Sequence, residues 1–301
     1  MGAIDRLTTL LQPAALQPLI SKRISVEFDA GSSNALWVTM TKAMNGERQN
    51  FSLPLLHGLR DLMHTVLEND ATWHYEGQAV PVHYVVLKSA HPDYFNLGGD
   101  LEHFRDCIVR QDRNSLHQYS HLCMDIMYEW ATSLNKHMTT ISLVQGRALG
   151  GGFETALSAD FLIAEEQSEF GFPEIMFGLF PCTGGMSLLA RRVGVYEAER
   201  MMTNGRIYSA AELKEKGIVD EVCPRGGGAL AIEKFIATHA RRRVARLMLQ
   251  RGRHRVAPLN YTELLAVVDE WVEAAMGLGE AELKIMEMLV RMQDAARQQL
   301  A

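Results

Sequence analysis

At the centre of the chain stands VQGRALGGGFE, residues 144–154. The run 140–144 before the glycines is apolar and partly β-branched, which is typical of a buried strand, and the small and apolar residues 155–159 favour a helix. Gly150, Gly151 and Gly152 therefore lie where a strand turns into a helix. Because the first N–H groups of a helix have no partner within it, an amide at this turn can stabilise an oxyanion, and Glu154 can face the same place.

Two other segments carry matching groups. FGFPEI, residues 170–175, brings a second carboxylate at Glu174, and FNLGGD, residues 95–100, brings a second glycine-rich turn after the apolar strand 84–88. Taken singly, the glycines fit a packing turn and Glu174 fits a helix start. Their combination favours a site for thioester chemistry, in which two amides hold an enolate oxygen and two carboxylates move protons at the neighbouring carbons. A third glycine loop, PCTGG at 181–185, fits either a wall of this site or a packing turn.

These segments resemble the three signatures of a known family. FNLGGD (95–100), GRALGGGFE (146–154) and FPE (172–174) are similar to those of the crotonase (enoyl-CoA hydratase/isomerase) superfamily, over roughly residues 25–300. Within it, the chain most resembles the diffusible-signal-factor synthases, bacterial enzymes that make cis-2-unsaturated fatty acid signals. That likeness also includes FGFPEIMFGLFP (170–181) and Trp271 in DEWVE (269–273).

The resemblance implies an α/β fold, a crotonase-type spiral of ββα units followed by a C-terminal helical region. The alternation of strands and helices also favours ββα units, but composition alone does not distinguish them from a doubly wound sheet. The resemblance implies Glu154 and Glu174 as the catalytic acid and base, in either order, and the amides of Leu97 and Gly151 as the oxyanion hole. The implied substrate-binding residues are Gly98, Gly99, Leu149, Gly150 and Trp271, although Trp271 also fits plain core packing.

The implied reaction is dehydration of a 3-hydroxyacyl thioester on acyl carrier protein to a cis-2-enoyl product, followed by hydrolysis to the free acid, a quorum-sensing signal. No Ser-His-Asp or Cys-His arrangement is visible for a separate thioesterase, so the two glutamates and a water would serve that step as well. One alternative is an enoyl-CoA hydratase of fatty-acid metabolism that uses CoA. The other is a regulatory protein that binds the receiver domain of a sensor kinase. No cofactor is implied.

The composition of the chain argues against several classes of protein. A net charge of −6 argues against generic nucleic-acid binding, and no apolar run is long enough for a membrane span. Four widely spaced cysteines and the lack of a signal peptide predict a cytoplasmic protein with free thiols. His117, His121 and His137 are interpreted as helix-surface or packing residues, because no carboxylate or cysteine cluster accompanies them. We therefore expect no metal site.

The chain divides into a lead-in at 1–22, a crotonase-like ββα core at 23–225, and a helical region at 226–301 for the acyl pocket and oligomerisation. The resemblance implies a homo-oligomer, a trimer or hexamer. We predict a hairpin of strands 24–29 and 35–40, a helix from Leu53, a turn region at 69–77, and helices at 101–109 and about 114–134. Seven arginines at 241–255 fit a solvated helix face or a docking patch for phosphates or an acidic carrier protein.

Overall fold

The computed structural model describes residues 23–31, 33–41, 48–132, 134 and 137–298, with side chains to residue 291. The predicted lead-in at 1–22 lies outside these residues. The strands are β1 Ile24–Asp29, β2 Ala35–Met40, β3 Thr72–Tyr75, β4 Gln78–Pro81, β5 Tyr84–Ser89, β6 Tyr94–Asn96, β7 Thr139–Val144, β8 Arg147–Leu149, β9 Phe161–Glu165, β10 Glu169–Gly171, β11 Ile207–Ser209 and β12 Glu221–Cys223. The helices are α1 Leu53–Glu68, α2 Leu101–Val109, α3 Arg113–Thr132, α4 Gly151–Ser158, α5 Gly185–Val193, α6 Val195–Thr203, α7 Ala210–Glu215, α8 Gly228–Ala240, α9 Arg243–Val256, α10 Tyr261–Met276 and α11 Glu280–Gln298.

The strands form two main sheets. The larger has the order β1-β2-β5-β7-β9-β12, in which only the β1–β2 pair is antiparallel. The smaller has the order β11-β10-β8-β6 and is parallel except for the β10–β11 pair. Three successive strand pairs, β5–β6, β7–β8 and β9–β10, each contribute their first strand to the larger sheet and their second to the smaller. Helical segments follow each pair. The predicted spiral of ββα units is confirmed, and the predicted hairpin is the β1–β2 pair.

The larger sheet is buried on both faces. Along β5, Val85 and Leu87 belong to the main hydrophobic core, whereas Tyr84 and Val86 pack in a second cluster with residues of α8. Side chains alternate across a strand, so these two sets point to opposite faces. This burial explains why the sequence of such strands is a continuous apolar run rather than an alternating one.

One pair of strands contradicts the prediction of a turn region at 69–77. β3 and β4 form an antiparallel hairpin around Glu76 and Gly77, which have φ of 48° and 80°. Positive φ at both central residues is the geometry of the tight hairpin turn that twists with its strands. The helices predicted before residue 140 are all present, as α1, α2 and α3.

The chain after residue 227 is helical through α8, α9, α10 and α11, as expected, while the boundary at 225 stays a prediction. The arginine-rich segment contains α9, which packs at the start of β7, where Gln250 Nε2 donates to Met138 O at 3.1 Å. Because the glycine turn follows the other end of β7, these arginines lie at the opposite end of the sheet from it. None of the described helices combines the length and the apolar character needed to cross a bilayer.

Candidate active site

The glycine turn lets two distant segments approach closely. Gly150 precedes α4 with φ 52° and ψ −126°, and a Cβ there would lie 2.3 Å from Glu174 Oε1. A Cβ on Gly152 would lie 2.2 Å from the carbonyl oxygen of Asn96. Both distances are far below van der Waals contact. Glycine at these positions therefore brings the segments around Glu174 and Asn96 against the start of α4.

Two neighbouring N–H groups remain unpaired at this turn. The N–H of Leu97 donates to Gln49 O at 2.8 Å, so it already has a partner in this structure, and its role as an oxyanion amide stays a prediction. The N–H of Gly98 donates to Asn96 Oδ1 at 2.8 Å. Within the described chain, no acceptor takes the N–H of Gly99 or of Gly151. The Gly99 nitrogen lies 3.7 Å from the position of a Cβ on Gly151, so the two unpaired amides belong to backbone segments in close contact.

Glu154 is buried in α4, with only 2% of its surface exposed. Its Oε1 accepts the N–H of Gly185, the first residue of α5, at 2.8 Å, and its Oε2 accepts the Thr183 hydroxyl. Burial raises the pKa of Glu154 to about 7, although the hydrogen bonds from Thr183 and Gly185 favour the charged form. The PCTGG loop and the start of α5 thus hold this carboxylate from one side.

Glu174 has a different environment. It begins a 3₁₀ turn, Glu174–Phe177, after Pro173. Its Oε2 is buried and receives no hydrogen bond from the described residues. Burial, and then the charge of Glu154, raise the pKa of Glu174 to about 8. The two carboxyl groups therefore act on one another, and Glu174, with one oxygen lacking a donor, is the harder to ionise.

Two cavities meet at Glu174. The inner cavity is mainly apolar and contains both Glu154 and Glu174; its wall includes Leu56, Leu59, Ile126, Met127, Trp130 and Phe180. The outer cavity includes Gly98, Leu149, Gly150, Arg147 and Phe177. Gly99, Glu174 and Trp271 line both. A thioester at this junction could extend its acyl chain inwards and its carrier arm outwards.

The structure brings the predicted site residues to this junction. Gly98, Gly99, Leu149 and Gly150 line the outer cavity, and Gly151 the inner one. Trp271 is 3% exposed and packs edge-on against Phe104, with ring centroids 5.1 Å apart, so it is both a core and a cavity residue.

The sequence analysis missed several polar groups in the inner cavity. Thr183 bonds Glu154, and only its place in the PCTGG loop could have indicated it. Tyr119 donates to Phe51 O at 2.6 Å and accepts the N–H of Asp100 at 3.1 Å. Burial raises the pKa of the Cys123 thiol to about 12 and that of Cys182 well above its usual range. Both thiols are therefore protonated at neutral pH and are poor nucleophiles.

A group of residues that could hold a metal ion lies outside both cavities. His117 and His121 of α3 meet Asp269 of α10, and their ligand atoms lie within 4.8 Å of one another. The expectation that no carboxylate accompanies these histidines is therefore wrong. The carboxylate comes from a helix far along the chain, where no local pattern could reveal it.

Comparisons with known proteins agree with this arrangement. A family model described as enoyl-CoA hydratase/isomerase matches residues 71–252. A protein of Arabidopsis thaliana described as probable enoyl-CoA hydratase 2, mitochondrial, is 30% identical over 211 residues, which are 70% of this chain and 63% of that protein. Across this and two other curated relatives, the chain spans between 32% and 63% of the relative's length.

Two solved structures share the fold. Enoyl-CoA hydratase from Bacillus anthracis superposes with a TM-score of 0.65 at 22% identity, covering 90% of this chain and 96% of that one. DspI from Pseudomonas aeruginosa superposes with a TM-score of 0.59 at 24% identity, covering 82% of this chain and 93% of that one. At these identities the likeness speaks for the fold alone.

Proposed function

The chain belongs to the enoyl-CoA hydratase/isomerase family, the crotonase superfamily, and we propose that it removes water from a 3-hydroxyacyl thioester to give a 2-enoyl thioester. One observation carries this proposal. Two carboxyl groups with pKa values of about 7 and about 8 line one cavity beside two unpaired amides. Near neutral pH, such a pair holds one ionised and one protonated carboxyl, as an elimination of water requires.

In this mechanism, the N–H groups of Gly99 and Gly151 bind the thioester oxygen, each contributing roughly 3–4 kcal/mol to transition-state stabilisation. Glu154, whose anion accepts two hydrogen bonds, takes the proton from C2, and the electrons of that bond move to the thioester oxygen as an enolate. Glu174, whose Oε2 lacks a donor among the described residues, gives its proton to the C3 hydroxyl. The C3–O bond then breaks, the enolate forms the C2=C3 double bond, and water leaves.

The plot of kcat/KM against pH should be bell-shaped. kcat/KM should rise as Glu154 loses its proton, with a pKa of about 7, and fall as Glu174 loses its own, with a pKa of about 8. Thr183→Val removes a donor that stabilises the Glu154 anion, so the low-pH limb should move to higher pH by more than the coupled high-pH limb moves. Steady-state kinetics from pH 5.5 to roughly 9.5 measure both limbs. A flat profile across this range would contradict the assignment.

The finer function that we propose is synthesis of a cis-2-unsaturated fatty acid signal from a 3-hydroxyacyl group on acyl carrier protein, with hydrolysis to the free acid. The apolar inner cavity supports a fatty acyl chain as the substrate. The likeness of the three signatures to diffusible-signal-factor synthases supports the product. The raised thiol pKa values of Cys123 and Cys182 favour a water activated by a glutamate over a cysteine nucleophile for the hydrolysis.

Mass spectrometry of the products tests this proposal. The protein is incubated with 3-hydroxydodecanoyl acyl carrier protein and, separately, with the matching CoA thioester. Release of a free cis-2-enoic acid, preferred from the carrier protein, is the expected result. An enoyl thioester that is made but never released would mean the alternative, an enoyl-CoA hydratase. No turnover of either thioester would overturn the proposed dehydration.

A regulatory role, binding the receiver domain of a sensor kinase, is the second alternative. Two pKa-shifted glutamates in one cavity, Glu154 buried and Glu174 partly buried, favour catalysis over binding alone. The homo-oligomer, a trimer or hexamer, and the cytoplasmic location stay part of the proposal. Exposed apolar side chains on α9, at Val244, Leu249 and Val256, support an oligomer that covers them.

A further inference from the structure

Three polar contacts cross between the antiparallel helices α3 and α10. At one end, the Arg113 guanidinium pairs with Glu273. At the other end, the Tyr261 hydroxyl donates to Asp125 Oδ1 at 2.5 Å. Between them, His117 and His121 both meet Asp269. Each end contact joins two side chains, whereas the middle contact joins three side chains that are potential metal ligands.

The three ligand atoms converge on one point. His117 Nε2 lies 3.0 Å from Asp269 Oδ1, and His121 Nε2 lies 2.8 Å from the same oxygen. The two imidazoles, four residues apart on one helix face, stack with centroids 3.9 Å apart at 27°. The side chains keep 32%, 25% and 51% of their surface exposed for His117, His121 and Asp269, so an ion from solvent can reach them.

We propose that His117, His121 and Asp269 bind a Zn²⁺ ion, with water at the fourth position. Zinc bonds to imidazole nitrogen and carboxylate oxygen are about 2.0–2.2 Å long, so tetrahedral ligand atoms stand roughly 3.3 Å apart. The two histidine–aspartate spacings of 3.0 and 2.8 Å need an opening of only a few tenths of an ångström, and all three ligand atoms already lie within 4.8 Å of one another. As hydrogen-bonded now, one oxygen accepts from both imidazoles. On binding zinc, each imidazole would give up its Nε2 proton, and the ring would stay neutral by holding a proton at Nδ1 or by releasing one to solvent. Two imidazoles and one carboxylate suit zinc better than calcium or magnesium, which prefer oxygen ligands.

This site is structural rather than catalytic, because none of its three residues lines either cavity. Its neighbours do. Tyr119 lies between the two histidines on α3, and Trp271 lies two residues after Asp269 on α10; both line the inner cavity. An ion that joins the helices would therefore hold two walls of that cavity at a fixed separation.

The test uses the full chain with no affinity tag, titrated with Zn²⁺ against a chromophoric chelator and separately loaded with Co²⁺. We expect one Zn²⁺ per chain, a rise in Tm with zinc, and visible Co²⁺ d–d bands without the near-ultraviolet charge-transfer band of a thiolate ligand. His117→Gln, His121→Gln and Asp269→Asn should each weaken zinc binding by more than about tenfold, since even losses outside the first shell of ligands can cost that much.

His64→Gln is the matched control, because His64 Nε2 lies 3.5 Å from Glu129 Oε2 and no third metal-binding side chain joins this pair among the residues that the structure describes. It should bind zinc as the unaltered protein does. Zinc binding that is unchanged in the three ligand variants, or a Co²⁺ spectrum with thiolate bands, would overturn the proposal. So would the absence of saturable binding to the unaltered chain, which decides the matter even if a variant does not fold.

Discussion

Glu174→Gln should lower kcat/KM for dehydration by roughly 10²–10⁴-fold, the usual contribution of a positioned general acid or base. Glutamine keeps the size of the side chain above Gly150 but cannot give a proton to the leaving hydroxyl. Glu154→Gln should cause a loss of similar size, because the base at C2 is then missing. The double variant should be little worse than either single one, since the two groups act in one step. Initial rates with the 3-hydroxyacyl thioester measure all three.

The same variants should separate loss of chemistry from loss of fold. Since the pKa of Glu174 is raised from 4.5 to about 8, the folded state binds more protons than the unfolded state between these pH values. The free energy of unfolding therefore falls as the pH rises through this range. A glutamine side chain does not titrate, so Glu174→Gln should be more stable than the unaltered protein at pH 9, measured by urea unfolding. If it is instead less stable at every pH, misfolding explains the lost activity.

Gly152→Ala should destabilise the protein by about 3 kcal/mol, at the upper end of the usual range for overpacking. The added Cβ would lie 2.2 Å from the Asn96 carbonyl oxygen and 2.8 Å from its carbon, and backbone atoms cannot turn away as a side chain can. Relief requires that the segment 95–100 move away from α4, which separates the amides of Gly99 and Gly151. We therefore also expect about a 10²-fold loss of kcat/KM in the molecules that remain folded.

Gly252→Ala is the control for this change. Gly252 lies within α9 with nothing within 4 Å of an added Cβ. Alanine in a helix is favoured over glycine by about 0.5–1 kcal/mol, so this variant should be slightly more stable and fully active. Urea midpoints and initial rates of both variants check the pair. Equal stability of Gly152→Ala and the unaltered protein would contradict the close approach of Asn96.

Local patterns in the sequence predict much of the fold. Ser209 and Glu212 form the capping box that their spacing indicates, with Glu212 Oε2 accepting the N–H of Ser209 at 2.9 Å. The first two strands have the predicted bounds. The hairpin β3–β4 could not be predicted in this way, because its half-exposed strands lack an alternation of apolar and polar residues. Only Glu76-Gly77 indicates its turn.

The parts of the site that depend on distant pairing could not be predicted. Which of three consecutive amides is free depends on Gln49, whose carbonyl takes the N–H of Leu97. Likewise, Asp269 approaches His117 and His121 only because α10 packs on α3. The two glutamates could be predicted as site residues from the sequence because each lies beside a glycine- or proline-marked turn, where a local pattern indicates the chemistry.

The inner cavity shares much of its apolar wall with the rest of the protein interior: Leu56, Leu59, Met127 and Trp130 line it and also belong to the main hydrophobic core. Mutations that enlarge it for a longer acyl tail thus remove core volume, and a Leu→Ala change costs about 2–5 kcal/mol of a total stability of about 5–15 kcal/mol. A lineage that shifts to a new chain length must therefore gain stability elsewhere beforehand. The order in which such mutations occur therefore decides which of them the protein tolerates. Met127 has a flexible side chain, so substitutions there should change the accepted chain length with the smallest loss of stability.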